Sequence, residues 1–156
     1  MPFKFGFPMS CVNQILFLCT GNYYRSRFAE ILFNYHAQRE QLGWRAVSRG
    51  LNICVQNPGP ISVHTLRRLD DLGIPVPLEL RFPIPAESVD FDSSNHIVAV
   101  KESEHRRLVE SNFPLYRHQV EYWNIHDLDC SHPEEALDEL ERHIGGLLER
   151  FSIRVR

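Results

Sequence analysis

Residues 15–27 constrain the fold of this chain more than any other stretch. Four apolar residues, Ile15 to Leu18, run without a break into Cys19, and a short turn at residues 20–22 follows. From Arg25 onward, apolar residues recur at helical spacing. One face of this helix carries Phe28, Ile31, Leu32 and Tyr35. An uninterrupted apolar run is typical of a strand buried on both faces of a parallel sheet. The stretch therefore predicts a buried strand that ends at Cys19 and a helix that begins near Arg25.

The turn between this strand and this helix has the properties of an anion site. Backbone N–H groups at a helix N-terminus lack helical partners, and the helix dipole favours negative charge there. The residues predicted to bind an oxyanion such as phosphate are Thr20, Gly21, Asn22, Tyr23, Tyr24, Arg25 and Ser26. Across this tight loop the Cys19 thiol and the planar Arg25 guanidinium can face the same oxyanion. The positive surroundings favour Cys19 as a nucleophilic thiolate, and Ser26 can donate a hydrogen bond to its sulfur.

A buried cysteine without chemistry is the alternative interpretation of Cys19. Cysteine commonly packs as a small hydrophobe in intracellular proteins. The spacing to Arg25 is by itself a weak signal in a chain with 4 cysteines and many arginines. The context favours catalysis, because a buried strand precedes the pair, Gly-Asn lies inside it, and Ser and an amphipathic helix follow.

The segment ILFLCTGNYYRSRFAE, residues 15–30, resembles the phosphate loop and first helix of the low-molecular-weight protein tyrosine phosphatases. The resemblance extends more faintly over residues 14–152, and the thioredoxin-coupled arsenate reductases share the loop and the fold. It implies a metal-free hydrolase that works through a phosphocysteine intermediate, without a cofactor. The implied substrates are phosphotyrosine proteins or related phosphorylated proteins and small phosphomonoesters, and the implied inhibitors are inorganic phosphate and vanadate.

The alternation of strands and helices predicts an α/β fold. We expect a three-layer sandwich with a four-stranded parallel sheet of order 2-1-3-4, the flavodoxin-like fold of the low-molecular-weight phosphatases. The later strands are predicted at residues 44–48, 96–100 and 118–122. The later helices are predicted at residues 61–72, 101–110 and 131–152, the last with Ser131 as its N-cap. Residues 74–94 are predicted to be a loop with at most one helical turn near residues 86–89. Residues 1–12 are predicted to be an N-terminal extension, and residues 13–156 a single domain.

Phosphoryl transfer through cysteine also needs a group that protonates the leaving oxygen and later deprotonates water. In the family that the chain resembles, this group is an Asp after strand four, usually followed by Pro. Asp127 aligns best, because Trp123 precedes it by four residues as in many relatives, although Leu128 replaces the Pro. Asp129 is the alternative acid. The third interpretation is that Asp127 and Asp129 are both solvated loop residues without a catalytic role.

Several positions depart from the family pattern. Many relatives have a second Cys where this chain has Tyr24, and Ile or Thr where it has Tyr23, with Thr found in relatives that act on phosphoarginine. Two Tyr rings at the rim would either stack on a flat substrate or narrow the entrance.

The support of the phosphate loop follows the family pattern only in part. Ser48 matches a family Ser that supports the loop Asn, and its other interpretation is a solvated Ser in a turn. The segment that ends in Arg81 lacks the His with which relatives brace the loop, so this bracing is not predicted.

Composition limits the partners and the compartment. The net charge of −3 and the pI near 6.2 argue against a nucleic-acid partner. No apolar run approaches the roughly 18 residues that a membrane span needs. The four cysteines show neither the density nor the spacing of a disulfide scaffold, and no cluster of His, Cys or carboxylates has metal-ligand spacing. These observations predict a cytoplasmic protein with reduced thiols and no metal, and we expect a monomer.

Two other functions compete with the phosphatase. Arsenate reduction needs relay cysteines near residues 80–90 in this fold, and the chain has none between Cys54 and Cys130. A non-catalytic module that binds an oxyanion or a phosphoprotein is the second alternative. The altered loop around Asp127 favours such a module, whereas the intact Cys19 and Arg25 argue against it.

Overall fold

The computed structural model describes residues 12–128 and 131–155, without the side chains of residues 153–155. The strands are β1 (Asn13–Cys19), β2 (Trp44–Gly50), β3 (His96–Ala99) and β4 (Val120–Tyr122). The helices are α1 (Arg25–Arg39), α2 (Val63–Asp71), α3 (Ser88–Asp92), α4 (Glu102–Asn112) and α5 (Pro133–Val155). Within these ranges, no helix combines the length and the apolar character that crossing a membrane would require.

The four strands form one parallel sheet in the order β2-β1-β3-β4, which confirms the predicted topology. In this sheet Cys19 at the end of β1 pairs with Gly50 at the end of β2, and Leu18 pairs with Ala99 at the end of β3. Because parallel strands end at the same edge, the segments that follow β1, β2 and β3 lie side by side there.

Strand β1 is buried on both faces, as its apolar run predicts. Its four residues from Ile15 to Leu18 are inaccessible to solvent. Ile15 and Phe17 pack in a core cluster with α1 and α5, whereas Leu16 and Leu18 pack in a second cluster with α3 and α4. The sheet is therefore the middle layer of a three-layer α/β sandwich.

Helices α2 and α5 each begin two residues later than the sequence predicts. Helix α2 begins at Val63 and not at residue 61, because Ser62 is its N-cap and accepts a hydrogen bond from the His64 N–H. Helix α5 begins at Pro133, so the predicted cap Ser131 lies before the helix and that prediction was wrong. Proline suits the first helical position because the N–H that it lacks would have no partner there.

Helix α3 and strand β4 also differ from the predictions in extent. In the segment predicted as a loop, α3 spans Ser88–Asp92, slightly later than expected, because Glu87 and Asp90 form a capping box at its start. Strand β4 begins at Val120 and not at residue 118, because a 3-10 turn at Pro114–Tyr116 precedes it. The predicted N-terminal extension lies outside the described residues except for Val12.

Candidate active site

The loop from Cys19 to Ser26, called the phosphate loop below, folds around the Cys19 sulfur. The sulfur lies 2.9 Å from the Ser26 hydroxyl and accepts a hydrogen bond from the Asn22 N–H at 3.3 Å. Asn22 has a φ of 50°, a left-handed conformation that turns the chain back toward the sulfur. Cys19 is only 2 % exposed, and its sulfur faces the loop and not the apolar core alone.

Arg25 is the first residue of α1, and its guanidinium is buried at the floor of the site. Its Nη1 atom donates to the Ile125 carbonyl at 2.9 Å, and its Nη2 atom lies 2.9 Å from Glu104 Oε2. Burial by itself lowers the pKa of Arg25, but its negative neighbours, Cys19 first among them, raise that pKa above its ordinary value. The guanidinium is therefore a fixed positive charge beside the sulfur.

Asp127 approaches the same guanidinium from the loop that follows β4. Its Oδ2 atom lies 3.3 Å from Arg25 Nη2, and its side chain is 42 % exposed. Its Oδ1 atom accepts a hydrogen bond from the Leu128 N–H at 2.9 Å, which fixes the carboxylate orientation. The structure thus places one of the two candidate acids next to Arg25, while Asp129 lies outside the described residues.

These groups meet in a cleft of about 200 Å³. The cleft is lined by Cys19, Gly21, Tyr23, Tyr24, Arg25, Asn57, Ser62, Asp127 and Leu128. Other predicted phosphate-binding residues have side chains that point elsewhere: Asn22 and Ser26 are fully buried beneath the loop, and the Thr20 hydroxyl faces α4. Of the cleft-lining residues, Asn57, Ser62 and Leu128 were not predicted as site residues from the sequence.

A hydrogen-bond network braces the phosphate loop from below. The Asn22 amide nitrogen donates to Ser26 Oγ and to Ser48 Oγ, both at 2.9 Å. The Asn22 amide oxygen accepts from Arg81 Nη1 and from the Ile84 N–H, both at 3.0 Å. Ser48 therefore makes the contact that the resemblance implied, and the solvated-turn interpretation was wrong. The family His that braces this loop is absent here, and Arg81 makes the bracing contact with Asn22 instead.

Tyr23 and Tyr24 have different environments. Tyr24 is only 5 % exposed and packs edge-on against His64, so it forms part of the cleft wall and not the predicted rim. Burial, aided by the charge of Asp127, raises the pKa of Tyr24 to about 12. The Tyr23 hydroxyl donates to the Pro58 carbonyl at 2.5 Å, which holds its ring at the mouth of the cleft.

Glu104 and His105, in the first turn of α4, were not predicted as site residues. The Thr20 hydroxyl hydrogen-bonds to Glu104 and lies 3.0 Å from His105 Nε2. The sheet order contained the necessary signal, because β3 neighbours β1 and the helix after β3 must begin beside the phosphate loop.

The family model described as low molecular weight phosphotyrosine protein phosphatase matches residues 14–152. The protein-arginine-phosphatase of Bacillus subtilis (strain 168) is 30 % identical over 107 residues, which cover 69 % of this chain and 67 % of that protein.

Solved structures of similar fold include two phosphatases. The low molecular weight protein tyrosine phosphatase from T. tengcongensis has a TM-score of 0.75 and 23 % identity, over 88 % of this chain and 99 % of that one. The YwlE arginine phosphatase from Geobacillus stearothermophilus has a TM-score of 0.73 and 26 % identity, over 91 % of this chain and 94 % of that one.

Proposed function

The chain belongs to the low molecular weight phosphotyrosine protein phosphatase family, whose members are cysteine-dependent phosphatases, and from this premise we propose that it hydrolyses phosphomonoesters through a phosphocysteine on Cys19. One observation carries the proposal. The Cys19 sulfur, the Arg25 guanidinium and the Asp127 carboxyl group line the same small cleft. A nucleophile, a phosphate ligand and a proton donor in one cleft are the groups that this reaction needs.

In the first step the Cys19 thiolate attacks phosphorus, so that an S–P bond forms and the ester P–O bond breaks. Arg25 and the N–H groups of the phosphate loop bind the non-bridging oxygens and balance the charge of the transition state. Asp127, in its protonated form, gives its proton to the departing alcohol or phenol oxygen.

In the second step the same carboxylate works in the reverse sense. Asp127 accepts a proton from a water molecule, and the water oxygen attacks the phosphorus of phosphocysteine. The S–P bond breaks and inorganic phosphate is released. The Ser26 hydroxyl, 2.9 Å from the sulfur, donates to the thiolate as it leaves.

The mouth of the cleft favours an aryl phosphate as substrate. Tyr23 and Leu128 present apolar surface there, and the Tyr23 ring is held in place by its hydrogen bond to Pro58. Aromatic side chains interact well with other rings in stacked or edge-on geometry. Phosphotyrosine in a protein is therefore the first substrate candidate. Phosphoarginine is the second candidate, because the Bacillus subtilis relative is a protein-arginine-phosphatase. In that substrate the bond that breaks is P–N, and Asp127 gives its proton to the departing guanidine nitrogen.

Turnover of a generic aryl phosphate in the presence of a metal chelator tests the function. We expect hydrolysis by the wild-type protein, no hydrolysis by Cys19→Ser, and wild-type activity for Cys54→Ser, whose exposed thiol serves as the matched control. Iodoacetate should label Cys19 first, and phosphate or vanadate should protect it. Peptides of one sequence that carry either phosphotyrosine or phosphoarginine then distinguish the two substrates. Activity that survives in Cys19→Ser would overturn the assignment, and phosphate binding without turnover would favour the non-catalytic module.

A further inference from the structure

Arg25 contacts a second carboxylate that the two hydrolytic steps do not use. Glu104 Oε2 and Oε1 lie 2.9 and 3.4 Å from Arg25 Nη2 and Nη1, so two carboxylate oxygens face the two terminal nitrogens. The Ile125 carbonyl accepts a further hydrogen bond from Nη1 at 2.9 Å. The end of the guanidinium is therefore held by α4 on one side and by the loop after β4 on the other.

This arrangement determines which edge of Arg25 remains available. A guanidinium can bind an oxyanion along the edge between its two Nη atoms or along the edge between Nε and Nη2. Glu104 occupies the first edge. Within residues 12–128 and 131–155, no acceptor pairs with Arg25 Nε, and Arg25 lines the cleft beside Cys19. The Nε–Nη2 edge is thus the one that can bind a phosphoryl group, with Asp127 close to the shared Nη2.

Glu104 is itself held by neighbouring hydrogen bonds. The Thr20 hydroxyl donates to Glu104 Oε2. His105 Nδ1 accepts a hydrogen bond from the Lys101 N–H at 3.1 Å, which leaves the proton of the neutral ring on Nε2. That nitrogen lies 3.0 Å from Thr20 Oγ1 and 3.3 Å from Glu104 Oε2. The start of α4 and the phosphate loop therefore fix one carboxylate together.

The charges of these groups stay constant near neutral pH. Burial raises the pKa of Glu104, but hydrogen bonds from His105, Arg25 and Thr20 hold that pKa well below its usual range. Burial lowers the pKa of His105 below its ordinary value. Glu104 is therefore an anion and His105 a neutral donor under physiological conditions.

We propose that Glu104 is a positioning residue that holds the Nη1–Nη2 edge of Arg25, so that the Nε–Nη2 edge faces the phosphoryl group at Cys19. The proposal rests on the proposed function of the cleft and extends it to a residue outside both the phosphate loop and the loop after β4 that carries Asp127. An arginine fixed before the reaction stabilises the transition state without reorganisation, so the contact contributes more to turnover than to substrate binding. The opposite hypothesis is that Glu104 competes with the substrate for Arg25 and inhibits the enzyme.

The variant Glu104→Gln tests this proposal, because it keeps the size of the side chain and removes its charge. We expect kcat for an aryl phosphate to fall about 10- to 100-fold, with KM changed less than about 3-fold. The affinity for vanadate, which resembles the transition state, should fall by about the same factor as kcat/KM. The matched control is Glu102→Gln in the same helical turn, whose exposed carboxylate pairs with Arg106. This control should stay within about 2-fold of the wild type.

A double-variant comparison separates positioning from general structural support. In the Arg25→Lys variant, the ammonium group has no planar edges that Glu104 could orient. Adding Glu104→Gln to this variant should therefore lower its vanadate affinity by less than about 2-fold. If Glu104→Gln does not fold, Thr20→Val removes a hydrogen bond to Glu104 and should lower kcat in the same direction by about 3- to 10-fold.

Three results would overturn the proposal. An unchanged or increased kcat/KM in Glu104→Gln would contradict the positioning role, and an increase would favour the competing hypothesis of inhibition. An equal loss of vanadate affinity in the wild-type and the Arg25→Lys backgrounds would show a structural role only. Full activity in Thr20→Val together with an inactive, unfolded Glu104→Gln would also contradict it. Vanadate titration needs no turnover, so a wild-type protein that binds vanadate without hydrolysis would refute the proposed function while the vanadate ratios still decide the role of Glu104.

Discussion

Arg81 Nη1 donates a hydrogen bond to Asn22 Oδ1 across 3.0 Å, which joins the irregular segment after α2 to the left-handed residue of the phosphate loop. The other terminal nitrogen, Nη2, contacts Ser48 Oγ and Glu30 Oε1, both at 3.1 Å. One guanidinium therefore holds three side chains from α1, β2 and the loop. Burial lowers the pKa of Arg81, and the Glu30 carboxylate opposes this effect.

The variant Arg81→Ala should remove hydrogen bonds that hold the phosphate loop in place, without removing any group that touches the substrate. Loss of a charged hydrogen bond in a half-buried network costs about 1.5–3 kcal/mol of folding stability. Because the phosphate loop then holds Cys19 and its N–H donors less precisely, kcat/KM should fall about 10- to 100-fold. Arg81→Lys should recover only part of this loss, because an ammonium cannot replace a planar fork that serves Asn22 and Glu30 at once. Steady-state kinetics with an aryl phosphate measure both variants. Arg45→Ala, on the exposed part of β2, is the control, and an equal loss there would contradict the specific role of Arg81.

Gly50 supports the same loop by lacking a side chain. A Cβ atom at this position would lie 2.8 Å from Ile53 Cγ1 and 3.0 Å from the Thr20 carbonyl oxygen. Because the Thr20 contact is with backbone, relief requires movement of the phosphate loop. Gly50→Ala should therefore lower stability by about 1–3 kcal/mol and lower kcat/KM, as measured by urea unfolding and kinetics.

Gly145 is the matched control for this change. A Cβ at Gly145 would meet nothing within 4 Å, and the residue lies inside α5. Gly145→Ala should raise the free energy of unfolding by about 0.5–1 kcal/mol and leave activity unchanged. Wild-type activity in Gly50→Ala would show that the loop tolerates the extra atom.

Asp127→Asn tests the general acid. The amide keeps the size of the side chain but cannot deliver a proton, so kcat should fall about 10²- to 10⁴-fold for substrates with poor leaving groups. The loss should shrink for activated aryl phosphates, whose leaving oxygen hardly needs protonation. Asp129→Asn should have little effect. The reverse pattern would assign the acid to Asp129, and no effect of either change would exclude both residues.

The part of the site that the sequence predicted is the part built from one continuous segment. Cys19 and Arg25 are brought together by the end of a buried strand, a tight turn and the start of a helix, all of which leave local patterns. The sheet order also followed from the alternation of strands and helices. Asp127 could be predicted only from the family resemblance, because the loop around it has no hydrophobic periodicity of its own.

The residues that the sequence did not predict act across long separations in the chain. Arg81 lies in a proline-rich segment without helical or strand spacing, so its contact with Asn22 leaves no local pattern. Glu104 has the appearance of an ordinary acidic residue in a first helical turn, which the helix dipole alone would favour. The burial of Tyr24 depends on α2 and α5, which pack against it from distant parts of the chain.

Glu121 forms a second polar network, remote from the phosphate loop. This residue of β4 accepts hydrogen bonds from Trp123 Nε1 at 2.7 Å and from Arg150 Nη2 at 3.1 Å, and it lies 2.9 Å from His96 Nε2. These partners, His96 first among them, lower the pKa of Glu121 to about 2 against the effect of its burial. The network joins β3 and β4 to α5.

Glu121→Gln should make stability less dependent on pH. Because the folded pKa is depressed, the carboxylate contributes its full stability above the unfolded pKa of about 4.3, and that contribution is lost as pH falls toward 2. The side chain is partly exposed, so the contribution is about 1–2 kcal/mol at pH 7. Urea unfolding followed by Trp fluorescence should show this difference at pH 7 and a smaller one near pH 3.5. The control is Glu102, whose exposed carboxylate pairs with Arg106 one helical turn later. Glu102→Gln should change the free energy of unfolding by less than about 0.5 kcal/mol at either pH. A difference between Glu121→Gln and wild type that stays constant from pH 7 to 3.5 would mean that packing, and not the charge of Glu121, stabilises this network.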